Sequence, residues 1–144
     1  MIEKDSIRLL RECDAGVKMG ISSIRDVEEF VSSPTLRQTL NHCKNEHERL
    51  GREIESELKR YGDEGKNPNP IAQGMSHIKT GVKLVMKESD STIADLMTDG
   101  CNMGVKSLNK YLNEYKAADE HSKDITKKLI KLEENLIKDV HGYL

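Results

Sequence analysis

The chain has 144 residues, with 23 lysines and arginines against 25 aspartates and glutamates, so its formal charge is −2 and its length suits one domain. Charged residues make up 33% and apolar ones 35%, while four tyrosines, one phenylalanine and no tryptophan leave little material for a thick β-sandwich or an aromatic ligand box. Lysines and glutamates are interspersed, which gives no basic field for nucleic acid or an acidic membrane surface, and no run nears the ~18 apolar residues of a spanning helix.

The expected class is all-α, a bundle of amphipathic helices. The start Met1-Ile2-Glu3-Lys4-Asp5 has neither the basic nor the apolar region of a signal peptide, so a cytoplasmic location is expected. Cysteines at 13, 43 and 101, with no C-x-x-C pair, read as reduced thiols.

Between residues 5 and 31, Leu10, Cys13, Val17, Gly20, Ile24, Val27 and Val31 step by three and four, which predicts a first helix with one buried stripe. Ser32-Ser33-Pro34 ends it and starts the next: Ser33 can cap free N–H groups, and Pro34 fits the first helical position. The second helix carries Leu36, Leu40, Cys43, His47, Leu50, Ile54, Leu58 and Tyr61, and Gly62 is placed to stop it. Residues 62–70 are rich in Gly, Asn and Pro and read as a linker. Ile71, Met75, Ile78, Val82 and Val85 then predict a helix over 71–88, and Ser89-Asp90-Ser91 offers a cap for the next start. A third long helix over 92–118 carries Ile93, Met97, Leu108, Tyr111 and Tyr115. Asp119 caps a fourth, with Ile125, Leu129, Leu132, Leu136 and Val140 on its stripe. The expected organisation is one domain over 1–144, with a first hairpin over 5–62, a linker over 62–70, a crossover helix over 71–88 and a second hairpin over 91–144.

Cys13-Asp14-Ala15-Gly16-Val17-Lys18 lines up with Cys101-Asn102-Met103-Gly104-Val105-Lys106, four of six positions being identical. Each copy lies in the first helix of a hairpin, as duplication of a hairpin would place it. A glycine inside a helix costs ~1 kcal/mol relative to alanine, a cost that close helix approach would explain. Two hairpins facing through a two-fold axis need a connection running the length of the bundle, which 62–88 is long enough to supply.

With this order of up, down, crossover, down and up, the chain resembles the ferritin-like superfamily, in particular its uncharacterised bacterial branch related to rubrerythrin-type bundles. The resemblance covers essentially the whole chain and rests on pattern and topology. It implies a ferritin-like antiparallel four-helix bundle and, by analogy, a place in stress or storage physiology. Ferritin-like oxidases hold two irons with a Glu from each of two helices and a Glu-x-x-His from each of the others. No Glu in this chain is followed three residues later by His, so the di-iron chemistry is not expected to accompany the fold.

Levels counted from the two hairpin turns place Val17 and Lys18, Glu46 and His47, Val105 and Lys106, and Leu132 and Glu133 in the central layer. One expectation is that the ammonium groups of Lys18 and Lys106 pair with Glu46 and Glu133 where a di-iron bundle holds its metals; the other is that both lysines reach water from flanking positions. His42, Cys43, Glu46 and His47 form the densest cluster of ligand types, because i,i+4 spacing stacks His42 over Glu46 and Cys43 over His47. A four-ligand zinc site would also need Cys13 and Cys101, which lie roughly 15 Å apart along the axis at ~1.5 Å per residue. The thiols are therefore expected to be buried and unreactive, and Asp14 to form an i,i+4 pair with Lys18.

The expected function is a binding or structural role without catalytic residues or a resident cofactor, with a homodimer or protein partner and no nucleic acid or membrane. The alternative is a bundle that binds iron, manganese or zinc through His47 and Glu46, with Asp14 and Glu133 as further candidates. A third reading is histidine phosphotransfer at His77-Ile78-Lys79. There the lysine lies two residues on rather than three, turned about 100° off the required face.

Overall fold

A computed structural model describes residues 2–67 and 89–144. The crossover helix expected over 71–88, together with His77 and Lys79, lies outside the described residues. Helix α1 spans Ile2–Glu28, α2 Pro34–Arg60, α3 Asp90–Glu114 and α4 Glu120–Val140, followed by a 3-10 turn at His141–Tyr143. Among the described residues all regular structure is helical, and no helix is long and apolar enough to cross a membrane.

Three of the four long helices, α2, α3 and α4, start on the side chain that the sequence offers. The hydroxyl of Ser33 accepts from the Leu36 N–H, that of Ser89 from the Thr92 N–H, and the Asp119 carboxylate from the Ser122 N–H. Such caps contribute ~1 kcal/mol each by satisfying N–H groups that have no partner within the helix. Pro34 sits at the first helical position of α2, and Gly62, with φ +72°, turns the chain away just beyond its end.

Two helices end earlier than their apolar stripes suggest. Helix α1 stops at Glu28 rather than 31, because Phe30 and Val31 donate their N–H groups to Val27 and Glu28 in a tighter turn, and Arg37 donates to the Val31 carbonyl. Helix α3 stops at Glu114 rather than 118, where α1 captures the following turn: Ala117 N–H donates to Asp5 and Asp119 N–H to Ser6.

These bonds define the two ends of the molecule. At one end lie the start of α1, the end of α2 and the α3–α4 turn, tied by the Tyr61 hydroxyl donating to Asp119. Burial works against the charge on Asp119, but donation from Tyr61 and Ser122 holds its carboxyl down at about 2. At the other end lie the α1–α2 turn, the start of α3 and the end of α4. There Asp90 accepts from the N–H groups of Ser32 and Ser33, and Ser33 meets Tyr143. Helix α1 packs on α2, α3 and α4, and α4 packs on the other three.

The core is not continuous along this length. One apolar cluster holds Val17, Leu50, Leu108 and Leu129 with the residues below them, and a second holds Ile24, Cys43, Cys101 and Leu136 with those above. On every helix the gap between the clusters falls within the same narrow layer. That layer contains Gly20, His47, Gly104 and Glu133.

Candidate functional site

The hydrogen-bond registers that tie the ends also align the middle. Pairing of Tyr61 with Asp119 brings His47 level with Glu133, and pairing of Cys13 with Thr126 brings Gly20 level with Glu133 on the neighbouring side. Close contacts agree with this layer. A Cβ on Gly20 would stand 2.8 Å from both Cδ2 and Nε2 of His47, and one on Gly104 would collide with the Glu133 carboxylate. The two glycines leave the room that these side chains occupy.

His47 is 2% exposed, and its Nδ1 lies 2.9 Å from the Cys43 carbonyl oxygen and 3.5 Å from the Cys43 thiol. A carbonyl can only accept, so Nδ1 carries the proton and Nε2 of the neutral ring is left as an acceptor. Burial lowers the pKa of the ring, against the opposing pull of that carbonyl, which keeps it neutral.

Glu133 is 8% exposed, and among the described residues its Oε2 has no hydrogen-bond partner. Burial pushes its carboxyl up to about 8, so the group is mostly protonated at neutral pH. The ionisable side chains that act on it or lie level with it are Cys13 on α1, Cys43 and His47 on α2, and Cys101 on α3. Burial pushes the thiols of Cys13 and Cys43 up to about 12 and raises that of Cys101 as well, so all three stay neutral. No cation faces this carboxyl among the described residues.

Beside this layer a cleft of about 500 Å³ opens between α1 and α3, within the ~300–1,000 Å³ span of small-molecule sites. Gly16 and Gly20 on α1 face Gly100 and Gly104 on α3 across it, and His47 and Glu133 line it from behind. Three thioethers, Met19, Met97 and Met103, line its walls, and Met103 is 71% exposed. Lys66, paired with Glu12, lines the cleft beside Tyr111.

The remaining candidates are dispersed. Lys18 pairs with Asp14 at 2.8 Å, as its i,i+4 spacing predicts, and not with Glu46. Asp14, 4% exposed, also accepts from the Lys66 N–H and so anchors the chain leaving α2. Glu46 pairs with Arg49, while Lys106 and His42 are exposed. The expected Lys–Glu pairs of the central layer are therefore not formed. The layer lies two residues further along α1 and up to two earlier along α3 than counting from the turns gave, which turns both lysines outward and brings Gly20 and Gly104 inward. Cys13 and Cys101 fall in opposite apolar clusters, Cys13 bonded to Thr126.

A di-iron centre does not fit these residues. Gly20 and Gly104 carry no donor atom, and among the described residues that leaves His47 and Glu133 in the layer. Among the described residues no group of three or more His, Cys, Asp or Glu is placed to hold a metal ion. No protein-family model, curated protein or solved structure matches this chain.

Proposed function

We propose that this protein is a ferritin-like bundle whose middle layer serves as a small-molecule site in place of a metal centre. The order of helix ends supports the fold reading: α1 runs up, α2 down, α3 down and α4 up, and the connection that leaves α2 beside Asp14 reaches α3 beside Ser33. This is the order of a ferritin-like bundle with one long crossover. The reading is a binding role: among the described residues that line the cleft, the inner pair is one neutral acid and one neutral imidazole, and none is an activated nucleophile.

The observation that carries this reading is the Glu133 carboxyl, buried, with an unpartnered oxygen, at the wall of a 500 Å³ cleft. A buried polar atom without a partner costs ~1–3 kcal/mol, which a ligand that bonds to it would recover on binding. Gly20 and Gly104 leave room for His47 and Glu133 at the inner wall of the cleft, while Gly100, where an added methyl would meet nothing within 4 Å, costs ~1 kcal/mol relative to alanine.

The test is a titration of 1-octanol into protein labelled with 13C at the methionine methyls. Saturable shifts at Met19, Met97 and Met103, fitting one molecule per chain, are expected. Shifts that grow linearly without saturation, or methyls that neither this alcohol nor the alkylamine of the same length moves, would overturn the binding reading.

A further inference from the structure

The cleft also specifies the chemistry of what it binds. Among the described lining residues, besides the hydroxyls of Ser23, Ser107 and Tyr111 and the Cys101 thiol, the inner polar groups are the bare Nε2 of His47, an acceptor, and the Glu133 carboxyl, whose oxygens both accept once its proton is gone. Lys66 is the one cation among the described lining residues, and Glu12 already neutralises it. The remaining walls are thioether, aliphatic and glycine, which suit an apolar body.

We propose that the ligand is a primary amine with an apolar body, its ammonium group seated on the Glu133 carboxylate beside His47 Nε2. This rests on the binding reading above and gives it a substrate class. An ammonium has three donors, enough to engage the Glu133 oxygens and Nε2 together, and no acceptor that would be left unpaired. Its charge supplies the partner that Glu133 Oε2 lacks among the described residues, where Cys13, Cys43, Cys101 and His47 are all neutral. Proton balance is simple: the ligand enters as its ammonium form, Glu133 gives up its proton to solvent, and the ion pair remains. Binding below about pH 8 therefore releases one proton per ligand, and affinity rises with pH up to that point.

The experiment compares n-octylamine, 1-octanol and octanoate at pH 8 by methionine-methyl shifts, in the native chain and in Glu133→Gln. The amide is close in shape to the acid and keeps the layer neutral, so this variant is the one suited to fold. A charge-assisted hydrogen bond is worth ~1.5–3 kcal/mol, so octylamine should bind the native chain about tenfold or more tighter than octanol. In Glu133→Gln that preference should vanish, octylamine binding the variant no tighter than octanol binds the same variant, and octanoate should bind neither. If octanol saturates but octylamine is no tighter, or if the preference survives in Glu133→Gln, the amine assignment is overturned and the cleft stands. Silence from both octanol and octylamine overturns the cleft as well. If Glu133→Gln fails to fold, Glu133→Met replaces it, with the same two outcomes.

Discussion

Replacing Glu133 with Gln is expected to stabilise the protein increasingly as pH rises from about 4.5 to about 8, the window between the ordinary and the buried pKa of this carboxyl. In that window the unfolded chain has lost the proton and the native state has kept it. Native stability therefore falls by up to ~1.4 kcal/mol per pH unit on account of this one group. Across the window the effect reaches several kcal/mol, a large share of the ~5–15 kcal/mol that holds a typical domain together. His47 acts in the opposite sense. Its lowered pKa means that the unfolded ring takes up a proton first as pH falls, so stability is lost on the acid side. Both proteins carry His47, so the difference between them isolates Glu133. Urea unfolding at pH 5, 7 and 9 measures it: the advantage of the variant should be small at pH 5 and largest at pH 9. Parallel curves would mean that a cation meets Glu133 in solution.

The second large effect is a reversal of sign between two helix-interior glycines. Alanine in place of glycine inside a helix gains ~1 kcal/mol where space allows. At Gly100 on α3 nothing lies within 4 Å of the added methyl, so Gly100→Ala should stabilise by up to ~1 kcal/mol. At Gly20 the same methyl would stand 2.8 Å from the His47 ring. That ring cannot simply swing aside, because its Nδ1 donates to the Cys43 carbonyl and the side chain is enclosed. Overpacking of this kind costs ~1–3 kcal/mol. Gly20→Ala should therefore lose stability despite its better helix propensity, and should also move the His47 ring signals in NMR spectra. Stabilisation by both substitutions would show that the layer is looser than its contacts imply.

Much of the architecture was legible because each stop signal had one physical meaning. Ser33-Pro34, Ser89 and Asp119 are capping residues in front of apolar stripes, and each caps the helix that it was expected to cap. The stripe of α1 was legible from Leu10 to Val27, Gly20 included, because its positions repeat at helical spacing, though it left out the fully buried Leu9. The ends at 28 and 114 were not legible. The end at 114 depends on bonds from Asp5 and Ser6, more than a hundred residues away from the turn that they hold, and the end at 28 on a tighter turn closed by Phe30 and Val31 and held by Arg37.

The site was half legible. His47 stands on its stripe between Cys43 and Leu50, and Glu133 was placed at the right level, yet as a partner for lysine. The spacing already held a contrary signal, since Glu133 follows Leu129 by one turn and precedes Leu136 by three residues, on the same face as both. Assigning that face to Leu132 hid a carboxylate inside the core. The glycines were noticed as a repeat, but their use depends on tertiary register: two residues of slippage decide whether Lys18 or Gly20 looks inward. Counting from a turn cannot resolve that shift, because helix ends vary by one or two residues with their caps.

The most direct measurement is a titration of the Glu133 side-chain carboxyl by 13C NMR, without ligand and with saturating n-octylamine. Without ligand the carboxyl should titrate at about 8, and with the amine bound its midpoint should fall by about one unit or more, as a neighbouring positive charge requires. A free midpoint near the ordinary 4.5, or one that octylamine leaves unmoved, would contradict a buried, unpartnered acid awaiting a cationic ligand.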